Sequence, residues 1–300
     1  MLSELQSQFD IAERIAFFSG QNGLTKVLLR HPSGSECEVY LQGATVTSWK
    51  QPSFGEILYL SPKAQFAPGK AIRGGIPLIF PQFGGGPLPS HGFARTAEWR
   101  VAATSASPQQ TVLSLELSPN AEHERLWPHT FRAEFRVELS TGLRTALEIS
   151  NLGKSSFEFQ NALHTYFLVG DIAQVDLPGL AGCTYLDNAN NRTAGVEERE
   201  RIRFDGEIDR IYQRSPAKLT INDGSLGRSI IIQKRGMNDS VVWNPWIEKA
   251  RTLSDLPDED YTRFVCVESG NMVPAVSLPP DTAFECSQEI WVQARSVNGR

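Results

Sequence analysis

Hydrophobic and polar residues alternate along much of this chain with a period of two. Over 131–139, FRAEFRVEL, Phe131, Ala133, Phe135, Val137 and Leu139 fall on one side, and Arg132, Glu134, Arg136 and Glu138 on the other. Segments 112–118 (VLSLELS) and 143–150 (LRTALEIS) repeat the pattern. Such alternation describes strands with one face in a core and one in water, which is the habit of antiparallel sheets. Further strands are expected over 26–31, 37–42, 44–50, 57–60, 157–168, 218–222, 229–234, 240–243, 263–268 and 284–293. Turn-forming clusters separate many of them, among them Pro32-Ser33-Gly34, Asn151-Leu152-Gly153, Asp223-Gly224 and Pro279-Pro280-Asp281.

Only 4–18 and 121–126 read as helical. Strands that follow one another without intervening helices exclude a parallel α/β sheet. No linker, repeat or low-complexity tract interrupts 1–300, so the expectation is one large all-β antiparallel sandwich domain with 1–20 as a lead-in.

Composition narrows the function. A net charge of −5 argues against a sequence-independent grip on nucleic acid, and any anionic substrate must be held by a few local arginines. Cys37, Cys183, Cys266 and Cys286 are scattered, with no metal-finger spacing. The first residues lack the basic flank and apolar core of a secretory leader, and no apolar run is long enough to span a bilayer. A cytoplasmic placement is the expectation, with no membrane partner.

Candidate chemistry begins in 71–95, AIRGGIPLIFPQFGGGPLPSHGFAR, with six glycines and four prolines. Regular helix and central strand are excluded there, yet the segment is too apolar for a solvated loop, so a fixed, partly buried loop is expected. It carries Arg73, His91 and Arg95; guanidinium groups suit phosphate oxygens through paired planar donors. In 157–168, parity places Glu158, Gln160, Ala162, His164 and Tyr166 on one side and Phe157, Phe159, Leu163 and Phe167 on the other. A lone histidine is more often structural than catalytic, but this one lies on a polar stripe. Glu268 ends the strand expected at 263–268, sharing parity with Phe264 and Cys266; desolvation there would raise its pKa toward that of a useful base, the bland alternative being a strand-end carboxylate in solvent. Asp209, in FDGEIDRIYQ, reads on its own as part of a solvated acidic turn. Trp243 and Trp246 flank Asn244-Pro245; aromatics suit sugar faces, although core packing is their commoner use.

Taken together, RGGIPLIFPQFG (73–84), HGFAR (91–95), NALHTYF (161–167), EIDRIYQ (207–213), VVWNPWIEKA (241–250) and CVESG (266–270) resemble the aldose 1-epimerase, galactose mutarotase-like superfamily, and within it the hexose-6-phosphate mutarotase (glucose-6-phosphate 1-epimerase) branch. The resemblance implies a β-supersandwich, His164 as general acid, Glu268 as general base, Asp209 as a ligand of a substrate hydroxyl, Arg73 and Arg95 as sugar-phosphate contacts, and His91 lining the pocket. The implied partner is a small sugar phosphate; the implied reaction needs no cofactor and no metal. Ser90 stands where the branch often has glutamine, and Ser269 follows the acid where proline is frequent. Two other readings of the residues are a non-catalytic carbohydrate-binding sandwich and a glycoside hydrolase pairing Glu268 with Asp209.

Overall fold

A computed structural model describes residues 2–295. Three antiparallel sheets carry the fold, with five, nine and eight strands. The five-stranded sheet runs in chain order from Ile15–Ser19 to Gly55–Glu56. The nine-stranded sheet has the meander Arg100–Ala106, Thr111–Leu117, Phe131–Leu139, Leu143–Asn151 at one side, continuing through Ala283–Ala294 to Arg228–Arg235 and Lys218–Asp223. The eight-stranded sheet centres on Phe264–Leu278, which pairs with Asp239–Asn244 on one edge and with Phe157–Leu163 and Tyr166–Leu168 on the other.

Alternation is realised as expected. Phe131, Ala133, Phe135, Val137 and Leu139 are all buried, and they join Phe157, Phe159, Leu163, Phe167, Val265 and Val267 in one hydrophobic cluster between sheets. The opposite face of the eight-stranded sheet carries a second cluster, with Ala162, Tyr166, Val241, Trp243, Phe264 and Cys266. Parity therefore sorts the two faces of 157–168 and 264–268 correctly.

Four expectations need correction. The helix covers only Leu2–Phe9. Glu13 adopts a left-handed φ of 61° and Asp10 Oδ1 accepts the Phe17 N–H at 3.0 Å, so the chain turns back and Ile15–Ser19 pairs as a strand with Thr25–Arg30. Segment 57–60 forms only isolated bridges beyond the short strand Gly55–Glu56. Segment 157–168 is broken at His164 and Thr165. The strand expected to end at Glu268 continues to Leu278.

The loop 71–95 is fixed, as its composition implied. Ile76, Leu78, Ile79 and Phe80 are fully buried, and Leu78–Ile79 adds a two-residue edge strand to Phe157–Leu163. The Phe80 ring packs edge-on against Phe93, Trp127, Phe131 and Phe159; burial of such a ring contributes about 1.5–3 kcal/mol. Glycine is obligatory at several points of the loop, Gly75 and Gly92 among them. A Cβ on Gly75 (φ 66°) would lie 2.0 Å from the Val46 carbonyl oxygen, and one on Gly92 (φ 70°) would lie 2.2 Å from that of Phe80. Among the described residues no helix is long and apolar enough to cross a membrane.

Candidate active site

Strand register brings distant residues of the sequence together. On the outer face of the eight-stranded sheet, Asp209 pairs with Trp243, Trp243 with Cys266, and Cys266 with Tyr166. In the neighbouring row Ile211 pairs with Val241 and Val241 with Glu268. His164 lies where the next partner of Glu268 would be, between the pairs Leu163–Ser269 and Tyr166–Cys266. Cross-strand neighbours on one face stand roughly 5 Å apart at Cβ, close enough for side chains to meet.

They do meet: His164 Nδ1 lies 3.4 Å from Glu268 Oε1. The approach is not that of a hydrogen bond, and both His164 Nδ1 and Glu268 Oε2 are buried without a hydrogen-bonding partner among the described residues. Glu268 is 2% exposed and His164 7%, so the solvent-reaching strand-end carboxylate is ruled out. Two polar groups left unsatisfied in the interior are costly and mark a site held ready for something else.

The break at His164 has a local cause. Its N–H donates to the Pro77 carbonyl at 3.0 Å and that of Tyr166 to Gly75 at 2.9 Å, so the loop 71–95 takes over from sheet pairing. The imidazole is stacked on the Tyr166 ring (4.7 Å, 6°) and meets Trp243 edge-on at 5.8 Å. Trp243 thus belongs to the site face, whereas Trp246 packs on Tyr261. Gly270 lets the strands close, since a Cβ there would lie 2.2 Å from the Asn161 carbonyl oxygen.

The loop supplies the basic groups. Arg73 is clamped: Nε and Nη2 each lie 3.1 Å from Asp255 Oδ1, and Nη1 donates to the Tyr166 hydroxyl at 3.0 Å. Arg95 is far freer, with Nη2 donating to the Ser90 carbonyl at 2.8 Å and Nε buried without a partner. Position 90 therefore engages Arg95 through its backbone. The His91 ring lies 5.9 Å from that of His164, and its Nδ1 accepts the Gly84 N–H at 3.3 Å, which leaves the proton of the neutral ring on Nε2. Asp209 lies on the strand Ile208–Tyr212, half-buried, with Oδ1 accepting from Asn188 at 2.8 Å, so the solvated acidic turn is overturned.

Burial dominates the electrostatics. It pushes Glu268 well above the ordinary carboxyl range, reinforced by the Asp209 charge and opposed by Arg95. It pushes His164 well below the usual imidazole value, with His91, Arg95 and Arg73 adding to the effect. His91 falls to about 3 for the same first reason, then through Arg95 and Arg73, and is neutral throughout the physiological range. Asp209 is raised by burial. All six residues singled out in the sequence are thus linked by register, ring contact or electrostatic reach. The residues missed are Tyr166 and Asp255. Tyr166 was signalled by sharing the parity of His164 two positions earlier; Asp255, in an irregular loop, had no signal. Among the described residues no group of three or more His, Cys, Asp or Glu could hold a metal ion.

The sequence profile described as aldose 1-epimerase matches residues 25–291. A protein of Cenchrus ciliaris, named as a proposed glucose-6-phosphate 1-epimerase, is 38% identical over 269 residues, 86% of this chain and 82% of that one. An Escherichia coli K12 protein, named likewise, is 34% identical over 277 residues, 91% and 92% of the two chains. A solved structure described as a proposed mutarotase from Salmonella typhimurium superposes with a TM-score of 0.89 at 30% identity, covering 98% of this chain and all of that one. Galactose 1-epimerase of Lactobacillus acidophilus shares the fold at 17% identity, TM-score 0.70, over 94% and 98%. With His164 and Glu268 buried against each other on one sheet face and a family profile spanning most of its length, the chain belongs to the aldose 1-epimerase family.

Proposed function

We propose that this epimerase interconverts the α and β anomers of a hexose 6-phosphate, with D-glucose 6-phosphate as the leading substrate. The observation that carries the reading is the buried, unbonded His164–Glu268 pair beside an arginine whose guanidinium is largely unclaimed. In the ring-opening step Glu268 takes the proton of the C1 hydroxyl while His164 delivers a proton to the ring oxygen, and the bond between C1 and the ring oxygen breaks. The C1–C2 bond of the open aldehyde rotates. The roles then reverse: the ring oxygen adds to the other face of C1, returning its proton to His164, and Glu268 returns a proton to the new C1 hydroxyl. Protons balance over the cycle.

Arg95 is the principal phosphate contact, with Arg73 held beside it by Asp255 and Tyr166. Fixing the far end of the sugar leaves the reacting end free to turn. His91 offers a neutral Nε2–H donor, and Asp209 accepts from a sugar hydroxyl. Charge also assigns the phosphate a second effect. Before substrate arrives, burial favours the shared proton on the Glu268 carboxyl. Arg73 and Arg95 both disfavour imidazolium at His164. A phosphate that cancels their field therefore lifts that penalty on the imidazolium, which the acid step requires.

A hydrolase pairing Glu268 with Asp209 fits less well, because Glu268 faces an imidazole and Asp209 lies in the adjacent row bound to Asn188. The four free cysteines, three of them buried, suit a reducing cytosol. Two-dimensional exchange NMR on equilibrated glucose 6-phosphate tests the proposal: cross-peaks between the two anomeric protons grow with enzyme concentration if it holds, and stay at the uncatalysed level if it fails.

A further inference from the structure

A second basic cavity lies apart from the catalytic face. It has a volume of about 680 Å³ and is lined by Arg214, Ser215, Lys234, Arg235, Asn238 and Pro274, among others. No acidic residue lines it, in a chain with 34 acidic and 29 basic residues. Arg214 and Arg235 are exposed, and neither guanidinium has a hydrogen-bond or ion-pair partner among the described residues.

The wall behind them is built rather than incidental. Lys234 is 3% exposed, and its ammonium donates to Ser215 Oγ (2.5 Å), the Asp239 carbonyl (2.8 Å) and Ser240 Oγ (2.9 Å). All three of its protons are committed; burial lowers its pKa to about 8, partly offset by the Asp239 charge, so at neutral pH it is an ammonium behind the cavity wall. The nearest acid, Asp239, is fully buried and spends its carboxylate on the N–H groups of Arg214, Met272 and Val273. Arg214 itself holds a left-handed φ of 48°, an uncommon conformation for a non-glycine residue. Its N–H bond to Asp239 fixes that turn and its place at the cavity mouth.

We propose that this cavity is a second anion-binding site, taking a small phosphorylated ligand between the guanidinium groups of Arg214 and Arg235 over the buried Lys234 charge. Two free guanidinium groups offer the paired planar donors that phosphoryl oxygens accept. The site shares no residue with the catalytic face, so it stands independently of the substrate proposed above.

Calorimetric titration with pyrophosphate tests it, using the full chain with Arg73→Ala and Arg95→Ala to remove the catalytic-face anion contacts. Residual binding of one equivalent is expected, weakening as salt is raised. Adding Arg214→Ala and Arg235→Ala should lower the remaining affinity by about tenfold or more. Because both arginines are exposed, the melting temperature and turnover of the Arg214→Ala, Arg235→Ala enzyme should match those of the parent, which separates lost binding from lost folding. Absence of residual binding in the Arg73, Arg95 variant, or an affinity unchanged by loss of Arg214 and Arg235, overturns the proposal.

Discussion

Replacing Glu268 by glutamine should damage the chemistry and strengthen the fold. A positioned general base contributes about 10²–10⁴ in rate, equivalent to about 2.7–5.4 kcal/mol of barrier. Glutamine keeps the volume of glutamate but cannot accept the C1 hydroxyl proton, so anomer exchange should fall by that factor. The folding term has the opposite sign. Glu268 is almost wholly buried and one of its oxygens has no partner; such a group costs about 1–3 kcal/mol. An amide carries no charge, and its N–H can donate to the neighbouring unpartnered His164 Nδ1. For a chain of this size each kcal/mol moves the melting temperature by about 2–4 °C. The pH dependence follows from the raised carboxyl pKa. Its ionisation opposes folding, so the cost is absent below the unfolded-state value near 4.3 and accumulates as pH rises through the window up to the folded value. The Glu268→Gln protein should therefore melt higher than the parent at pH 7, with the gap closing near pH 4. Exchange NMR and thermal melts across that range read both quantities. Full activity in the variant would exclude Glu268 as the base, and a lower melting temperature at pH 7 would exclude a destabilising buried carboxylate.

Three further outcomes follow from the same geometry. Arg95→Ala should raise KM for the phosphorylated sugar by roughly 10–100-fold, the value of a charge-assisted hydrogen bond, and should leave KM for unphosphorylated glucose within a few-fold; steady-state polarimetry on both sugars decides it. Asp209→Asn removes the negative charge that adds to the upward shift of Glu268, so the acid limb of the kcat/KM profile should move to lower pH, and a shift upward would contradict the placement. Gly92→Ala should cost at least about 1–2 kcal/mol for the left-handed backbone alone, with the clash against Phe80 added, and should lower activity by displacing His91 and Arg95; a denaturant melt and an activity assay check it.

Much of this was legible because antiparallel sandwiches write their two faces into alternate positions. The strands at 112–118, 131–139 and 143–150 match Thr111–Leu117, Phe131–Leu139 and Leu143–Asn151 to within a residue, and the parity of His164 and Glu268 put both on the outer face. What parity could not reveal is pairing. Nothing local in the sequence indicates that His164 faces Glu268, because that depends on register between strands a hundred residues apart. Short or mixed strands such as Val175–Pro178, Thr184–Asp187 and Ile208–Tyr212 escaped for the related reason that their partners, rather than their own pattern, make them strands. The small polar run Ser269-Gly270-Asn271 looked like a strand end; its side chains are buried, and Asn271 bonds Asn161 across the sheet. Asp255 lies in a loop with no period at all, and only the fold places it against Arg73.

A crystal structure of the enzyme soaked with glucose 6-phosphate is the decisive experiment. Phosphate oxygens are expected on Arg95 and Arg73, the C1 hydroxyl within hydrogen-bonding distance of Glu268, and the ring oxygen within the same reach of His164. A sugar bound with its phosphate away from those arginines, or with C1 remote from both His164 and Glu268, would contradict the proposed roles.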